Sequence, residues 1–213
     1  MKKVTVVDYR LGNLFSMRRA LEHVGAQVDL TDNPEAIRSA ERLIIPGVGA
    51  FGEGMENLRR LNILSSIQDF LQKKKPFLGI CLGMQLLMSE SEELGVHEGL
   101  NLIKGSVLKL DDNKIDGVHY KIPHIGWNTI QPSNGKGVDK DPLLEGIPSG
   151  TFFYFVHSFG VFPKGKENWL TSTSYGKNDF CSIVKNNNVY GCQFHPEKSG
   201  ELGLRILFNF LNL

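Results

Sequence analysis

The sequence predicts an α/β protein with an open, mixed, mostly parallel central sheet, flanking helices, and antiparallel strands in the C-terminal half. Two observations predict this class. In the first half, short apolar runs alternate with segments whose apolar residues recur at helical spacing, which implies crossover units around a parallel sheet. In the second half, residues 101–131 and 151–194 are rich in Val, Ile, Thr, Tyr and Phe, with turn residues between them, which favours further strands.

Strands and helices follow one another closely in the first half. The apolar spacing predicts, in order, a strand at residues 4–7, a helix over residues 14–24 that Gly25 ends, strands at residues 27–30 and 43–45, a broken helix over residues 55–71 that ends before Pro76, and a strand at residues 77–80. A further helical run is expected over residues 84–88.

The second half contains one clear hairpin and a closing helix. Three asparagines at residues 186–188 are expected to join a strand at residues 181–185 to one at residues 189–194. Residues 132–150 carry Pro, Gly, Asp and Ser and predict an irregular surface segment. The chain closes on a helix with one apolar stripe, formed by Leu204, Leu207, Phe208 and Leu211.

Length and composition narrow the functional classes. A length of 213 residues predicts one domain, residues 1–213. The net charge is only +1, so the sequence lacks the excess of positive charge that is typical of nucleic-acid-binding proteins. No apolar run reaches the roughly 18 residues that a membrane span needs, and the N-terminus has no signal-peptide pattern. Three unevenly placed cysteines make a disulfide framework improbable. We therefore expect a reduced, cytoplasmic protein without a membrane partner.

A candidate nucleophile stands in the segment Gly79-Ile80-Cys81-Leu82-Gly83. This pattern between a strand and a helix is typical of a nucleophile elbow, with cysteine in the place of serine. The glycines allow close backbone approach, and the N-terminus of the following helix favours a thiolate. Taken alone, the pattern is equally compatible with a small buried core cysteine.

A candidate base follows a predicted strand near the C-terminus, at His195. Pro196 biases it toward extended geometry, so that Glu197 projects to the same side and orients the imidazole. Nucleophile, base and orienting carboxylate then form a triad. The other five histidines lack a carboxylate two residues later, and no C-x-x-C or H-x-x-x-H pair supports a metal site.

A thiolate attacking an amide also needs N–H donors for the oxyanion that forms. The backbone N–H of Leu82 is one candidate, and the second, from Val48, lies in the loop Pro46-Gly47-Val48-Gly49 after a predicted strand. Because glycines flank Val48, we hypothesise that this loop completes the oxyanion hole only when a partner binds. The alternative is that the glycines only form a tight turn.

These residues resemble the class I, triad-type glutamine amidotransferases, whose fold is flavodoxin-like. The elbow with Met84-Gln85 and the His195-Pro196-Glu197 run carry the likeness at class level. A closer similarity, to the glutaminase subunits of imidazole glycerol phosphate synthases, covers essentially the whole chain. Its motifs are Gly12-Asn13-Leu14, Pro46-Gly47-Val48-Gly49-Ala50-Phe51-Gly52, Pro123-His124-Ile125-Gly126-Trp127-Asn128 and Tyr154-Phe155-Val156-His157-Ser158-Phe159.

The resemblance implies roles for single residues. It implies that Cys81 is the nucleophile, His195 the base and Glu197 its orienter. Glutamine would be held by Gly49, Gln85, Glu93, Ser158 and Phe159, and a partner would be met by Asn13, Trp127, Tyr154 and Lys198. Glu93 could instead be an exposed charge of an acidic run, and Trp127 and Tyr154 could instead pack in the core.

The resemblance also implies the activity and the partner. Glutamine would be hydrolysed through a thioester on Cys81 without a cofactor, and ammonia would pass to a cyclase subunit in a heterodimer that serves histidine biosynthesis. Two alternatives stay open: a glutaminase serving another synthesis, such as that of anthranilate, aminodeoxychorismate or pyridoxal phosphate, and a non-catalytic module of the same fold that only binds a partner.

Overall fold

A computed structural model of the chain describes residues 1–133 and 141–213. The helices are α1 (Leu14–His23), α2 (Pro34–Ser39), α3 (Phe51–Arg60), α4 (Leu64–Gln72), α5 (Leu82–Gln85) and α6 (Gly200–Leu211). The strands of the first half are β1 (Lys2–Val7), β2 (Ala26–Thr31), β3 (Leu43–Ile45), β4 (Phe77–Ile80), β5 (Met88–Ser91), β6 (His97–Glu98) and β7 (Ile103–Lys109). Those of the second half are β8 (Asn113–Ile115), β9 (Val118–Tyr120), β10 (His124–Thr129), β11 (Gln131–Pro132), β12 (Phe152–His157), β13 (Phe159–Pro163), β14 (Trp169–Tyr175), β15 (Asn178–Asn186) and β16 (Val189–Cys192).

One large mixed sheet organises the molecule, in the order β2-β1-β3-β4-β16-β15-β13-β7-β5-β6, and β14 pairs with both β15 and β11. The strands from β2 to β16 run parallel, and β15, β13 and β7 continue the sheet by antiparallel pairing. Two short ribbons, β10–β12 and β8–β9, stand apart from it. The predicted fold class is confirmed.

Apolar side chains alternate along the strands, so that the sheet has a core on each face. Along β1, Val4 and Val6 join one buried cluster and Val7 joins the other. The first cluster includes residues of α1 and α6, and the second includes residues of α2, α3 and α4. The helices therefore cover both faces, as a parallel sheet requires.

Most of the predicted elements are present, with shifted ends. The break expected in the helix over residues 55–71 falls between α3 and α4, where Asn62 has a φ of 54°. The asparagine hairpin is confirmed, since Asn186 pairs with Val189, although β16 ends at Cys192 rather than at residue 194. The helix α2, with Asn33 as its N-cap, was not predicted.

Two expectations were wrong. The helical run over residues 84–88 ends at Gln85, and Met88 instead begins β5, which pairs with β7. The segment 132–150, of which residues 134–140 lie outside the described structure, is not confined to the surface. Leu143, Leu144 and Ile147 are buried against the C-terminal helix region, because a short 3-10 turn at Pro142–Leu144 directs them inward. Within the described ranges, no helix combines the length and apolar character needed to cross a membrane.

Candidate active site

Cys81 occupies a sharp turn between β4 and α5. Its φ of 53° lies in the left-handed region, which residues with a Cβ atom rarely adopt, and such strain is typical of functional turns. The helix that follows is a single turn of four residues, and the amides of Met84 and Gln85 donate to the Cys81 carbonyl. A helix this short has little dipole, so charged side chains must supply most of any thiolate stabilisation.

The two glycines of the elbow are required by close backbone packing. A Cβ on Gly83 would lie 1.8 Å from the carbonyl oxygen of Ile45, and a Cβ on Gly79 would lie 2.4 Å from the oxygen of Gly83. Neither backbone oxygen can move without disturbing the element that carries it, β3 for Ile45 and α5 for Gly83. The elbow therefore tolerates no side chain at either position.

The sheet brings the C-terminal part of the chain to this turn. Strand β16 lies parallel to β4, with Cys192 opposite Ile80, and the amide of Cys81 donates to the Cys192 carbonyl oxygen at 2.8 Å. Parallel neighbours end at the same edge of a sheet, so the residues that follow each strand meet there. His195 reaches the elbow in this way.

His195 and Glu197 form a buried pair. The Nδ1 atom of His195 lies 2.8 Å from Oε1 of Glu197, and each side chain is only 3% exposed. The expected geometry was wrong in one respect: Glu197 stands in a 3-10 turn, Pro196–Lys198, rather than along an extended stretch. The turn still brings the carboxylate to the ring.

With Nδ1 bound to Glu197, Nε2 is the ring nitrogen that remains available to Cys81. Burial alone would lower the pKa of His195, but the neighbouring Cys81 and the hydrogen-bonded carboxylate of Glu197 outweigh it and raise this pKa to about 10. No hydrogen bond of ordinary geometry reaches Nε2 from the described residues. The site therefore favours an imidazolium facing the sulfur of Cys81.

A cavity of about 250 Å³ opens beside Cys81. Eight residues predicted for the site line it, together with two that were not predicted, Val156 and His157; the eight are Val48, Gly49, Cys81, Leu82, Gln85, Glu93, Ser158 and Phe159. This volume suits a small polar molecule of amino-acid size rather than a large ligand. No group of three or more potential metal ligands occurs in the described part of the chain.

Two glutamine side chains connect the cavity to the nucleophile. Nε2 of Gln85 donates to the carbonyl oxygen of Phe159 at 3.1 Å and to Oε1 of Gln193 at 3.2 Å. Nε2 of Gln193 lies 3.6 Å from the sulfur of Cys81. Gln193 was not predicted, although its position two residues before His195, on the same extended run, is a signal that could have found it.

Glu93 is held at the cavity rather than exposed in an acidic run. Its Oε2 atom accepts a hydrogen bond from the amide of Phe51 at 2.7 Å, at the start of α3. The N-terminus of a helix favours a nearby carboxylate, because its free amide groups carry partial positive charge. The reading of Glu93 as a freely solvated charge is therefore wrong.

The loop expected to complete an oxyanion hole does not present both donors. The amide of Leu82 donates to the carbonyl oxygen of Gly47 at 3.4 Å. That carbonyl and the amide of Val48 belong to one trans peptide unit and point in opposite directions. The Val48 N–H is consequently directed away from the Leu82 N–H.

Three of the four residues predicted to meet a partner form one surface patch. The ring of Trp127 lies edge-on to Tyr154, with centroids 6.1 Å apart, and Nζ of Lys198 lies 5.9 Å from the Tyr154 ring centre. Trp127 is 54% exposed, so the core-packing alternative is wrong for it. Asn13 is exposed and caps α1 by accepting from the amide of Ser16.

Comparison with known proteins gives consistent similarities. A family model described as glutamine amidotransferase class-I matches residues 5–213. "Imidazole glycerol phosphate synthase subunit HisH 1" of Legionella pneumophila (strain Paris) is 48% identical over 100% of both chains, and the HisH subunit of Methanosarcina barkeri is 46% identical over the same full lengths. The solved structure of PurLQS from Thermotoga maritima aligns with a TM-score of 0.73 at 22% identity, over 100% of this chain and 99% of that chain.

Proposed function

Because the chain belongs to the class-I glutamine amidotransferase family, we propose that it hydrolyses the side-chain amide of glutamine as the glutaminase subunit of an imidazole glycerol phosphate synthase. The relatives that match along their full length carry that subunit name. The observation that carries the proposal is the meeting of Cys81, His195 and Glu197 beside a small cavity.

In the first half-reaction, the Cys81 thiolate attacks the side-chain amide carbon of glutamine. The carbonyl oxygen takes the negative charge and is bound by the N–H group of Leu82 and, once the peptide unit between Gly47 and Val48 has rotated, by that of Val48. His195, which is protonated, gives its proton to the leaving nitrogen, and the carbon–nitrogen bond breaks. Ammonia and a thioester on Cys81 result.

In the second half-reaction, water replaces the sulfur. His195, now neutral, takes a proton from the water, whose oxygen attacks the thioester carbon. A second oxyanion forms in the same hole and collapses, breaking the carbon–sulfur bond and restoring the thiolate. Glutamate leaves, so that one glutamine and one water give one glutamate and one ammonia.

Five residues are proposed to hold the substrate: Gly49, Gln85, Glu93, Ser158 and Phe159. All five line the cavity, and the Glu93 carboxylate is a suitable acceptor for the ammonium group of an amino acid. Gln85 and the Phe159 backbone are joined by a hydrogen bond, which supports a fixed pocket wall. We further propose that residues 1–213 form a single amidotransferase domain, which the match over residues 5–213 supports.

A cyclase subunit is proposed to cover the patch formed by Trp127, Tyr154 and Lys198, to which we assign Asn13 as a further contact. Exposed aromatic rings are enriched at partner interfaces, and Ile125 and Phe152 are also exposed on the β10–β12 ribbon. The amide of His195 donates to the Tyr154 carbonyl oxygen, so the patch adjoins the site where ammonia would be released.

Covalent labelling tests this function most directly. A diazo-ketone analogue of glutamine should label Cys81 alone, and Cys81→Ala should abolish both labelling and ammonia release. Cys192→Ala is the matched control, because burial raises the pKa of that thiol well above its usual value and it should keep its proton. Labelling elsewhere, or ammonia release by Cys81→Ala, would refute the proposal and favour a module that only binds a partner.

A further inference from the structure

Two buried histidines stand beside the site without a role in the proposed chemistry. His124 on β10 and His157 on β12 lie opposite one another in the ribbon, with exposed fractions of 2% and 6%. Nδ1 of His124 lies 3.0 Å from Nε2 of His157. Buried polar groups this close need a defined donor and acceptor, and the surrounding contacts determine which is which.

The direction of each hydrogen bond follows from the backbone. Nδ1 of His157 lies 2.8 Å from the carbonyl oxygen of Phe159, and a carbonyl can only accept. His157 therefore carries its proton on Nδ1, so its Nε2 accepts from Nδ1–H of His124. Nε2 of His124 is then an acceptor as well, and the side-chain amide of Asn128 lies 3.4 Å from it.

The result is a one-way chain of donors that ends on the wall of the cavity. Asn128 donates to His124, His124 to His157, and His157 to the carbonyl oxygen of Phe159. The same carbonyl oxygen accepts from Gln85, so both of its lone pairs are occupied. A carbonyl bound from two sides fixes the orientation of the backbone that carries it.

Aromatic packing holds the two rings in place. His124 stacks on Tyr175, with centroids 4.0 Å apart, and on Phe155 at 5.1 Å. His157 meets the ring of Phe180 edge-on at 4.8 Å. Neither imidazole can turn away without leaving these contacts, so the chain is rigid along its length.

We propose that His124 and His157 are positioning residues for the glutamine pocket: their directed hydrogen bonds fix the Phe159 backbone in the orientation that binds the substrate. This inference rests on the proposed function, since it assumes that the cavity holds glutamine. Both rings must be neutral for the chain to form, and burial lowers the pKa of His124 to about 4 and of His157 to about 3. The chain is therefore intact at neutral pH.

Two substitutions of His157 distinguish its two hydrogen bonds, the one that Nδ1 donates and the one that Nε2 accepts. In His157→Asn the amide nitrogen replaces Nδ1, so donation to Phe159 is retained while the acceptor for His124 is lost. In His157→Gln the amide oxygen replaces Nε2, so acceptance from His124 is retained while donation to Phe159 is lost. Each variant leaves one hydrogen bond unmade, which makes them a matched pair for stability.

The KM for glutamine, measured with the partner subunit present, distinguishes positioning from a merely structural role. We expect His157→Gln to raise KM about tenfold, the value of one buried hydrogen bond, with kcat within about twofold of wild type. His157→Asn should keep KM within about twofold. Equal KM values for the two variants, raised or not, would overturn the inference.

Two further measurements distinguish a failure of this inference from a failure of the proposed function. Calorimetric titration of glutamine into the double variants with Cys81→Ser reports binding without turnover, and the same tenfold difference is expected in Kd. Wild-type protein that binds glutamine but releases no ammonia would refute the proposed function and leave this comparison standing. Should the His157 variants not fold, His124→Asn and His124→Gln give a second pair. Weaker binding is expected for His124→Gln, because His157 then lacks the donor that keeps its proton on Nδ1, whereas the amide of His157→Asn has no tautomer to be fixed.

Discussion

The amide of Leu82 donates to the carbonyl oxygen of Gly47, at a long distance of 3.4 Å. This contact occupies one of the two groups proposed to stabilise an oxyanion and turns the other, the amide of Val48, away. Rotation of the single peptide unit between Gly47 and Val48 would free the first donor and supply the second. Gly49, with a φ of 119°, follows immediately and gives the loop the conformational freedom for that rotation.

We expect the isolated chain to hydrolyse glutamine slowly. Loss of one oxyanion donor typically lowers turnover by about 10²–10³, so binding of the proposed cyclase subunit and its ligand should raise kcat by at least about 10². Steady-state ammonia release with and without that partner measures the difference, with Cys81→Ser as the background. Equal rates would show that the Gly47 contact does not limit catalysis.

Glu197→Gln should reduce turnover while leaving the fold in place. The amide keeps the shape of the carboxylate but loses the charge that stabilises the imidazolium, so kcat should fall by about 10² or more. The pH–rate profile should move to lower pH on its alkaline side, since the pKa of His195 depends on this partner. An unchanged profile would contradict the assigned role of Glu197.

Gly83→Ala should unfold the elbow or prevent folding. Its Cβ would lie 1.8 Å from the Ile45 carbonyl oxygen, and we expect a loss of several kcal/mol, in the upper range for single substitutions. Gly54→Ala is the control: its Cβ would meet only the ends of leucine side chains at 3.3 Å or more, and alanine favours α3 by up to about 1 kcal/mol. Urea unfolding of the two variants measures both effects.

Unfolding free energy should be greatest near pH 6.5, the ordinary pKa of histidine in an unfolded chain. Above it, the folded protein retains a proton on His195 that the unfolded chain has lost, so this stabilisation disappears as the pH rises toward 10. Below it, His124 and His157 take up protons in the unfolded chain but stay neutral in the folded protein, so the unfolding free energy falls as the pH drops toward 4.

Two variants test which histidines cause the acid and alkaline limbs of this stability profile. The groups that face the histidine pair are Tyr175 toward His124 and the charged ring of His195 toward His157. Replacement of His157 by Asn should flatten the acid limb, and Glu197→Gln should move the alkaline limb to lower pH. Urea titrations between pH 4.5 and 9.5 test this, and a limb that its variant leaves unchanged would have another origin.

Local sequence patterns were sufficient to predict the elbow at Cys81 and the pair of His195 and Glu197. Both depend on neighbours within a few residues, since the glycines permit the turn and the proline shapes the segment between histidine and carboxylate. The alternation of apolar runs likewise predicted the parallel strands. Of the short elements that were missed, β5 depends on pairing with the distant β7. The helix α2 has local signals that apolar spacing does not register, an Asn33 N-cap followed by Pro34 at the first helical position.

The remaining parts of the site depend on contacts between distant segments. His157 meets His124 only because β10 and β12 pair in register, and Gln193 meets Gln85 across more than a hundred residues of chain. The orientation of the Gly47 carbonyl is still harder to predict, because rotation of a single peptide unit changes it. Spacing along the sequence carries no signal for the contact between His124 and His157 or for the orientation of the Gly47 carbonyl.

The pairing of β4 with β16 makes loss of enzymatic activity depend on the cooperative unfolding of the whole sheet. Cys81 and His195 follow two adjacent strands in the middle of the large sheet, joined by backbone hydrogen bonds in continuous register from Val189 to Cys192. These two proposed catalytic groups cannot separate through fraying at a sheet edge, because separating them requires disruption of the centre of the sheet. Inactivation by denaturant should thus coincide with global unfolding, and amide hydrogens of these strands should exchange last.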